Sequence, residues 1–144
     1  MTGISILGIN HIGLAPKDPE KAKAFFESLL NLPFEGQETV VEQKTETLML
    51  ASASRAAAGL PRLEILVPTE SDSPIARFLE QKGSGIHHIA FTVSNIEMCL
   101  ASLKSHGVQL IDEVPRVGAH HTRIAFIHPK STGGLLVELV EQTS

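Results

Sequence analysis

The sequence predicts an α+β fold of two tandem βαβββ modules whose mixed sheets form one cup-shaped metal site. A segment beginning at Asn10, NHIGLAPKDPEKAKAFFESLLNL, aligns without a gap with a segment beginning at His87, HHIAFTVSNIEMCLASLKSHGV, at an offset of 77 residues. Each copy starts with a β-type apolar stretch that leads into an amphipathic helix, and three β-type segments follow each helix. Polar residues also recur at matching strand positions. These observations together indicate a duplicated module.

Both module helices carry start and stop signals. Asp18 before Pro19 is a typical N-cap with proline in the first turn, and Ser94 and Asn95 are the cap candidates of the second helix. Between the modules, SDSPIARFLEQKG has a serine cap and a closing glycine, which predicts a short bridging helix. The stop signals of the module helices are Asn31 to Pro33 and Gly107.

The remaining β-type segments complete the modules. SASRAAAGLP, between two of them, is predicted to be a crossover loop without chemistry. The chain should form one domain over residues 1–144, with module one at about 5–70, the bridging helix at about 72–83 and module two at about 85–141. The predicted strands are 34–42, 46–52 and 62–68 in the first module and 108–112, 123–128 and 135–140 in the second.

Composition excludes several classes of protein. The 144 residues are 42% apolar and 19% charged, with a formal net charge of −4, which predicts a soluble globular protein and disfavours nucleic acid as a partner. The single Cys99 excludes a disulfide framework within the chain and is predicted to be a core thiol. No basic segment precedes an apolar run near the N-terminus and no run approaches about 18 residues, so we expect a cytoplasmic location and no membrane span.

Four polar residues recur on strands at equivalent places. His11 and His88 lie in the first strand of each module, and Glu64 and Glu138 lie in the last. Both glutamates have apolar neighbours on either side, and a buried carboxylate is costly without a partner. Two imidazoles and two carboxylates form a plausible N2O2 site for a divalent cation. The residue two positions after each histidine is small, which leaves space over the imidazole.

The other histidines are predicted to have structural or surface roles. The first copy has asparagine where the second has His87, and strand alternation points His87 to the face opposite His88. His106 is predicted to lie at a helix end and His128 in a loop. His120 and His121 are predicted to be loop residues that could contact the rim of the site.

The duplicated halves and their His and Glu positions resemble the vicinal oxygen chelate (glyoxalase) superfamily over essentially the whole chain. The stretches DSPIARFLEQKG, GIHHIAF and HPKSTGG are similar to those of its methylmalonyl-CoA epimerase family. The resemblance implies that His11, Glu64, His88 and Glu138 bind one divalent ion, either cobalt, manganese, nickel or zinc, and that the protein is a homodimer acting on an acyl-CoA substrate.

The resemblance also implies a reaction, in which an α-proton is abstracted through a metal-stabilised enolate and returned on the other face. Glu64 and Glu138 are the predicted catalytic pair. Some relatives carry a glutamate on the third strand of the first module, where this sequence has Thr47 and Glu46 is one residue away, so the base assignment stays open. Lys130, Ser131, Gly133 and Gln43 are the predicted substrate contacts. In the GAHH segment, His121 stands where glycine is frequent in relatives.

Three other functions remain open at this point. A lactoylglutathione lyase has a similar ligand set. A ring-cleaving dioxygenase uses two histidines and one carboxylate, so Glu64 would be a fourth ligand. A drug-sequestering binding module keeps the cup and needs no metal.

Overall fold

The computed structural model describes residues 2–55 and 57–143 and resolves two compact units, one of residues 11–87 and one of residues 1–10 and 88–144. The residue of the SASRAAAGLP loop at position 56 lies outside the described residues. The elements are β1 (Ile6–Ala15), α1 (Pro19–Ala24), β2 (Phe34–Val40), β3 (Thr45–Ala51), β4 (Arg62–Pro68), α2 (Pro74–Lys82), β5 (Gly85–Val93), α3 (Ile96–Ser105), β6 (Arg116–Val117), β7 (Thr122–Ile127) and β8 (Val137–Gln142).

The strands of the first unit follow the order β2-β3-β4-β1. β1 pairs parallel with β4, whereas β2 with β3 and β3 with β4 are antiparallel. One face of this sheet carries Leu48, Leu50 and Ile65, which are buried beneath Phe26 of the first helical segment. The other face carries His11 and Glu64 together with the apolar Met49 and Leu66, and Ile75 of α2 clusters with Leu66.

The strands of the second unit repeat this arrangement in the order β5-β8-β7-β6, with β5 and β8 parallel. Its main core lies between α3 and the sheet. Cys99 is 2% exposed there, and burial raises the pKa of its thiol, with the Glu141 carboxylate adding to the effect. The core thiol predicted at this position is confirmed. The buried members of this core are Val93, Ile96, Cys99, Leu100, Ala125, Ile127 and Leu139.

The predicted helix boundaries agree closely with the structure. Asp18 accepts a hydrogen bond from the Lys21 N–H, Asn95 caps α3 through the Met98 N–H, and Ser73 caps α2. At the end of α3, Gly107 has φ +80° and Val108 donates back to the Leu103 carbonyl. This is the Schellman arrangement, which favours glycine because of its left-handed backbone.

Two local predictions need correction. The first module helix keeps α geometry only over Pro19–Ala24 and continues as a π-helix over Phe25–Leu29. The strand predicted at 108–112 is wrong, because only Leu110 forms a bridge, to Ile127. The second strand of that module is instead the two-residue β6.

Side-chain hydrogen bonding explains why residues 108–112 do not form a strand. The N–H groups of Ile111 and Asp112 both donate to the Phe126 carbonyl, at 3.0 and 3.2 Å. The Asp112 carboxylate accepts from the Phe126 N–H at 2.9 Å, which replaces a backbone ladder bond. No helix among residues 2–55 and 57–143 is long and apolar enough to cross a membrane.

Candidate metal centre

The first unit brings His11 and Glu64 together on one face of its sheet. β1 and β4 are parallel neighbours whose register sets Gly13 beside Glu64 and His11 beside Arg62. His11 Nδ1 lies 3.2 Å from Glu64 Oε2. The two residues are only 6% and 5% exposed, so the carboxylate is held away from water beside an imidazole.

The second unit repeats this pair. β5 and β8 are parallel neighbours whose register sets Ala90 beside Glu138, and His88 Nε2 lies 3.2 Å from Glu138 Oε1. His88 is 6% exposed and Glu138 is 4% exposed. The Phe126 ring packs edge-on against the His88 ring with centroids 5.6 Å apart.

The surroundings of the two pairs also correspond. The third strand of each module places a large apolar residue directly opposite the glutamate, Met49 opposite Glu64 and Phe126 opposite Glu138. Small residues, Gly13 and Ala90, occupy the strand position on the other side of each glutamate. Each module therefore contains a half-site with one nitrogen and one oxygen donor.

The donors of each half-site fit a divalent cation. Imidazole nitrogen and carboxylate oxygen are common ligands of zinc and related transition metals. The N–O separation of 3.2 Å in each pair is close to the separation of adjacent ligands around an octahedral ion with bonds of about 2.1–2.3 Å. The buried carboxylate of each pair also supplies negative charge that a bound cation would balance.

Arg62 is a site residue that sequence reasoning missed. Its Nη2 atom lies 3.7 Å from Glu64 Oε2, and the register places it beside His11 on the same face. The Nε atom is buried and makes no hydrogen bond within the described residues. The signal was present in the sequence, because Arg62 and Glu64 are two apart on a strand and so share a face.

The HPKSTGG turn is compact and internally bonded. Lys130 and Ser131 are exposed, and the Ser131 hydroxyl accepts from the Gln109 N–H at 2.8 Å. The Gly134 N–H donates to the Pro129 carbonyl at 2.9 Å and so closes the turn. Gly133 is exposed with φ +80°. In the first unit Gln43 is half-buried in a helical turn after β2.

Four of the remaining histidines are characterised by other contacts or by their backbone conformation. His87 packs edge-on against Phe78 of α2 with ring centroids 5.0 Å apart, so its side chain contacts the bridging helix. His106 Nδ1 lies 2.8 Å from the Ser102 carbonyl oxygen at the end of α3. His120 and His121 both have left-handed backbone, with φ of 57° and 55°.

A family model for the Glyoxalase/Bleomycin resistance protein/Dioxygenase superfamily matches residues 10–126. The chain therefore belongs to this superfamily and has its fold, the glyoxalase or vicinal oxygen chelate fold, which confirms the predicted fold class. Members of this superfamily typically bind a divalent metal ion.

Within the superfamily, the chain is 44% identical over 133 residues to the uncharacterized protein YqjC of Bacillus subtilis, covering 92% of this chain and 91% of that protein. It is 34% identical over 132 residues to the mitochondrial methylmalonyl-CoA epimerase of Bos taurus, covering 91% of this chain and 72% of that protein. A solved methylmalonyl-CoA epimerase in complex with methylmalonyl-CoA and NH4+ has a TM-score of 0.89 at 32% identity, covering 97% of each chain. The predicted resemblance to methylmalonyl-CoA epimerases is confirmed.

Proposed function

We propose that this protein is a metal-dependent epimerase that interconverts (2R)- and (2S)-methylmalonyl-CoA. The observation that carries the proposal is the pair of matched, buried His–Glu half-sites in a chain whose relatives include methylmalonyl-CoA epimerases. A metal-free binding module gives no reason for a buried His–Glu pair at the same place in both modules. A lactoylglutathione lyase would fit the same ligands, whereas the similarity to methylmalonyl-CoA epimerases over most of the chain favours the epimerase.

His11, Glu64, His88 and Glu138 are the proposed ligands of one divalent ion. When bound, such an ion acts as a Lewis acid that stabilises negative charge on the thioester oxygen. The ligands of the two half-sites suit a divalent cation, because the carboxylates carry two negative charges and the imidazoles are neutral nitrogen donors. Whether the ion is cobalt, manganese, nickel or zinc stays unassigned, since N2O2 ligation admits each of them.

The chain's own residues would position the substrate and move its proton. The small Gly13 and Ala90 leave space next to the glutamates for substrate oxygens. The exposed Lys130 can attract the free carboxylate of methylmalonyl-CoA, with Ser131, Gly133 and Gln43 as further proposed contacts. Inversion at the α-carbon then requires a proton acceptor on one face and a proton donor on the other, for which Glu64 and Glu138 were predicted.

We also propose that the active form is a homodimer. Ile6, Leu7 and Ile9 of β1 are 46%, 62% and 42% exposed, which is unusual for successive apolar strand residues and is typical of a surface covered by a partner. Sedimentation of the purified protein tests this proposal, with a species of twice the chain mass expected. The predicted cytoplasmic location stays a prediction.

Adjacent histidines provide a matched test of the metal ligands. His88→Ala should lose the bound metal and epimerase activity, whereas His87→Asn, which restores the residue of the first copy, should retain both. Metal content by elemental analysis after loading with each candidate ion is the direct readout, and formation of the second epimer from a pure one is the activity readout. A His88→Ala protein that holds one metal ion per chain would contradict the proposed site.

A further inference from the structure

Epimerisation requires two proton-transfer groups, one on each face of the substrate α-carbon. The Glu64 Oε2 atom already lies 3.2 Å from His11 Nδ1 and 3.7 Å from Arg62 Nη2, which favours another carboxylate as the base on its side of the substrate. The face of the first sheet that carries His11 and Glu64, called the ligand face below, holds such a carboxylate.

Strand register identifies which residues share this face. Residues directly opposite each other on antiparallel strands point to the same side of a sheet, as do residues two apart on one strand. Met49 of β3 is opposite Glu64, so both are on the ligand face. Thr47 is two residues from Met49, and Glu38 of β2 is directly opposite Thr47. Glu38 is therefore on the ligand face.

Burial agrees with this assignment. Thr47 is 4% exposed although it does not belong to the apolar cluster beneath the first helical segment, which takes Leu48, Leu50 and Ile65 from the other face. Glu38 is half-buried between the exposed residues Gln37 and Thr39. The exposure of these three residues alternates along β2, as expected if the Glu38 side chain points to the ligand face and its two neighbours point away from it.

Glu38 is also distinguished from the other acidic residues of β2, β3 and β4, all of which the structure describes. Glu46 is opposite Val67 and shares the face of Leu48, away from the ligands. The carboxylates that the regular register places on the ligand face are those of Glu64 and Glu38. Glu35 of β2 is exposed and lies at the irregularity between Phe34 and Gly36, three residues before Glu38 in the strand. The strand order sets β2 two strands from β4, a backbone separation of about 10 Å, which leaves room for a substrate between the two carboxylates.

We propose that Glu38 is the general acid–base residue for one face of the substrate α-carbon and that Glu64 serves as a ligand alone. This inference rests on the proposed epimerase function. The Glu38 carboxylate accepts the α-proton as the C–H bond breaks, and the electron pair of that bond delocalises onto the thioester oxygen. A proton donor on the opposite face then forms the new C–H bond. In the reverse direction, protonated Glu38 donates its proton to the α-carbon.

Glu38→Gln tests the proposal, with Glu46→Gln as the matched control on the next strand and the opposite face. Loss of a general base should slow epimerisation by about 10²- to 10⁴-fold. Glu46→Gln should epimerise at the wild-type rate, and both variants should bind as much metal as the wild type.

Proton exchange distinguishes a base from a structural residue. In deuterated water, wild-type protein should place deuterium at the α-carbon starting from either pure epimer. Glu38→Gln should exchange the α-proton of one epimer without inverting it and should fail to exchange the other, because a single proton-transfer group remains. Glu38→Asp should recover part of the lost rate.

Several results would overturn the proposal. These are a Glu38→Gln protein that epimerises at the wild-type rate, one that has lost its metal, or one that exchanges the α-protons of both epimers or of neither. Wild-type, metal-loaded protein that exchanges neither epimer would instead refute the proposed function itself, so the two failures are distinguishable.

Discussion

His120 and His121 are two successive residues in left-handed backbone, a conformation that costs a residue with a side chain about 1–2 kcal/mol. The turn is held by its neighbours, since the Thr143 N–H donates to the His121 carbonyl and the Thr122 hydroxyl donates to the Ala119 carbonyl. Strain of this kind persists only where the surrounding structure enforces it.

Replacing His121 with glycine should therefore stabilise the protein. Relief of the left-handed strain is offset in part by the greater backbone freedom of glycine in the unfolded chain, and we expect a net gain of about 0.5–1 kcal/mol in the free energy of unfolding. Urea denaturation measures it. Unchanged or lower stability of His121→Gly would mean that the histidine side chain makes contacts worth more than the strain.

At the scale of elements, α3 is anchored to β8 by Glu141. The Glu141 Oε2 atom accepts a hydrogen bond of 2.7 Å from the N–H of Ile96, the first residue of the helix. A carboxylate at this position satisfies a free helical N–H group and interacts favourably with the helix dipole. The other oxygen, Oε1, accepts from Arg123 of β7 at 3.3 Å. One side chain thus links a helix to two strands.

Glu141→Ala should lower the free energy of unfolding by about 1–2 kcal/mol, because the Ile96 N–H loses its acceptor and the helix loses its capping charge. Chemical denaturation followed by circular dichroism gives the value. Glu42→Ala, at an exposed acidic position, is the control and should change stability by less than about 0.5 kcal/mol. Equal effects of the two substitutions would argue against the capping role.

The same region predicts a pH dependence. The Arg123 guanidinium hydrogen-bonds to Glu97 of α3 and lowers the pKa of that carboxyl below its usual 4.5. A carboxylate with a lowered pKa in the folded state stabilises the protein above its unfolded pKa, and the stabilisation is lost as the pH falls through the folded pKa. The pair is exposed, so salt should weaken its contribution.

Arg123→Met should therefore cost more stability at pH 6 than at pH 3. The measurement is urea denaturation of wild type and variant across this range, with the difference in the free energy of unfolding expected to shrink toward acid. A difference that stays constant with pH would indicate that Arg123 contributes through packing of its aliphatic stem alone.

At the scale of the whole molecule, the proposed ligands Glu64 and Glu138 are expected to couple metal binding to stability. An ion that binds only the folded chain stabilises it by about 2.7 kcal/mol at a free concentration one hundred times its dissociation constant. Chelator-treated protein should therefore melt at a lower temperature than metal-loaded protein, as calorimetry can measure. The double substitution of Glu64 and Glu138 by Gln should abolish this dependence on metal. An equal melting temperature for the wild type with and without metal would contradict the coupling.

Much of this fold could be predicted because its signals are local. The caps at Asp18 and Asn95 are short-range patterns, and the duplication reinforced each of them. The duplication also identified the two His–Glu pairs, since chance rarely repeats a polar residue at matching strand positions. The strand at 108–112 was mispredicted because Asp112 bonds to the Phe126 backbone, a contact that local propensity does not contain.

The full set of residues on the ligand face was harder to predict from the sequence. The position of Arg62 on the same face as Glu64 could have been predicted from strand alternation. The position of Glu38 could not, because its place opposite Thr47 depends on the register between β2 and β3. That register includes an irregularity between Phe34 and Gly36. A one-residue shift in that register would turn Glu38 to the other face.

Proton exchange at the α-carbon of methylmalonyl-CoA tests the central claim most directly. Wild-type protein loaded with a divalent metal is incubated with the thioester in deuterated water, and mass spectrometry follows deuterium at the α-carbon. We expect rapid incorporation that disappears on chelation, returns with added metal and is absent in His88→Ala but retained in His87→Asn. Incorporation at the rate of the protein-free solution, or a rate indifferent to metal, would contradict a metal-dependent epimerase.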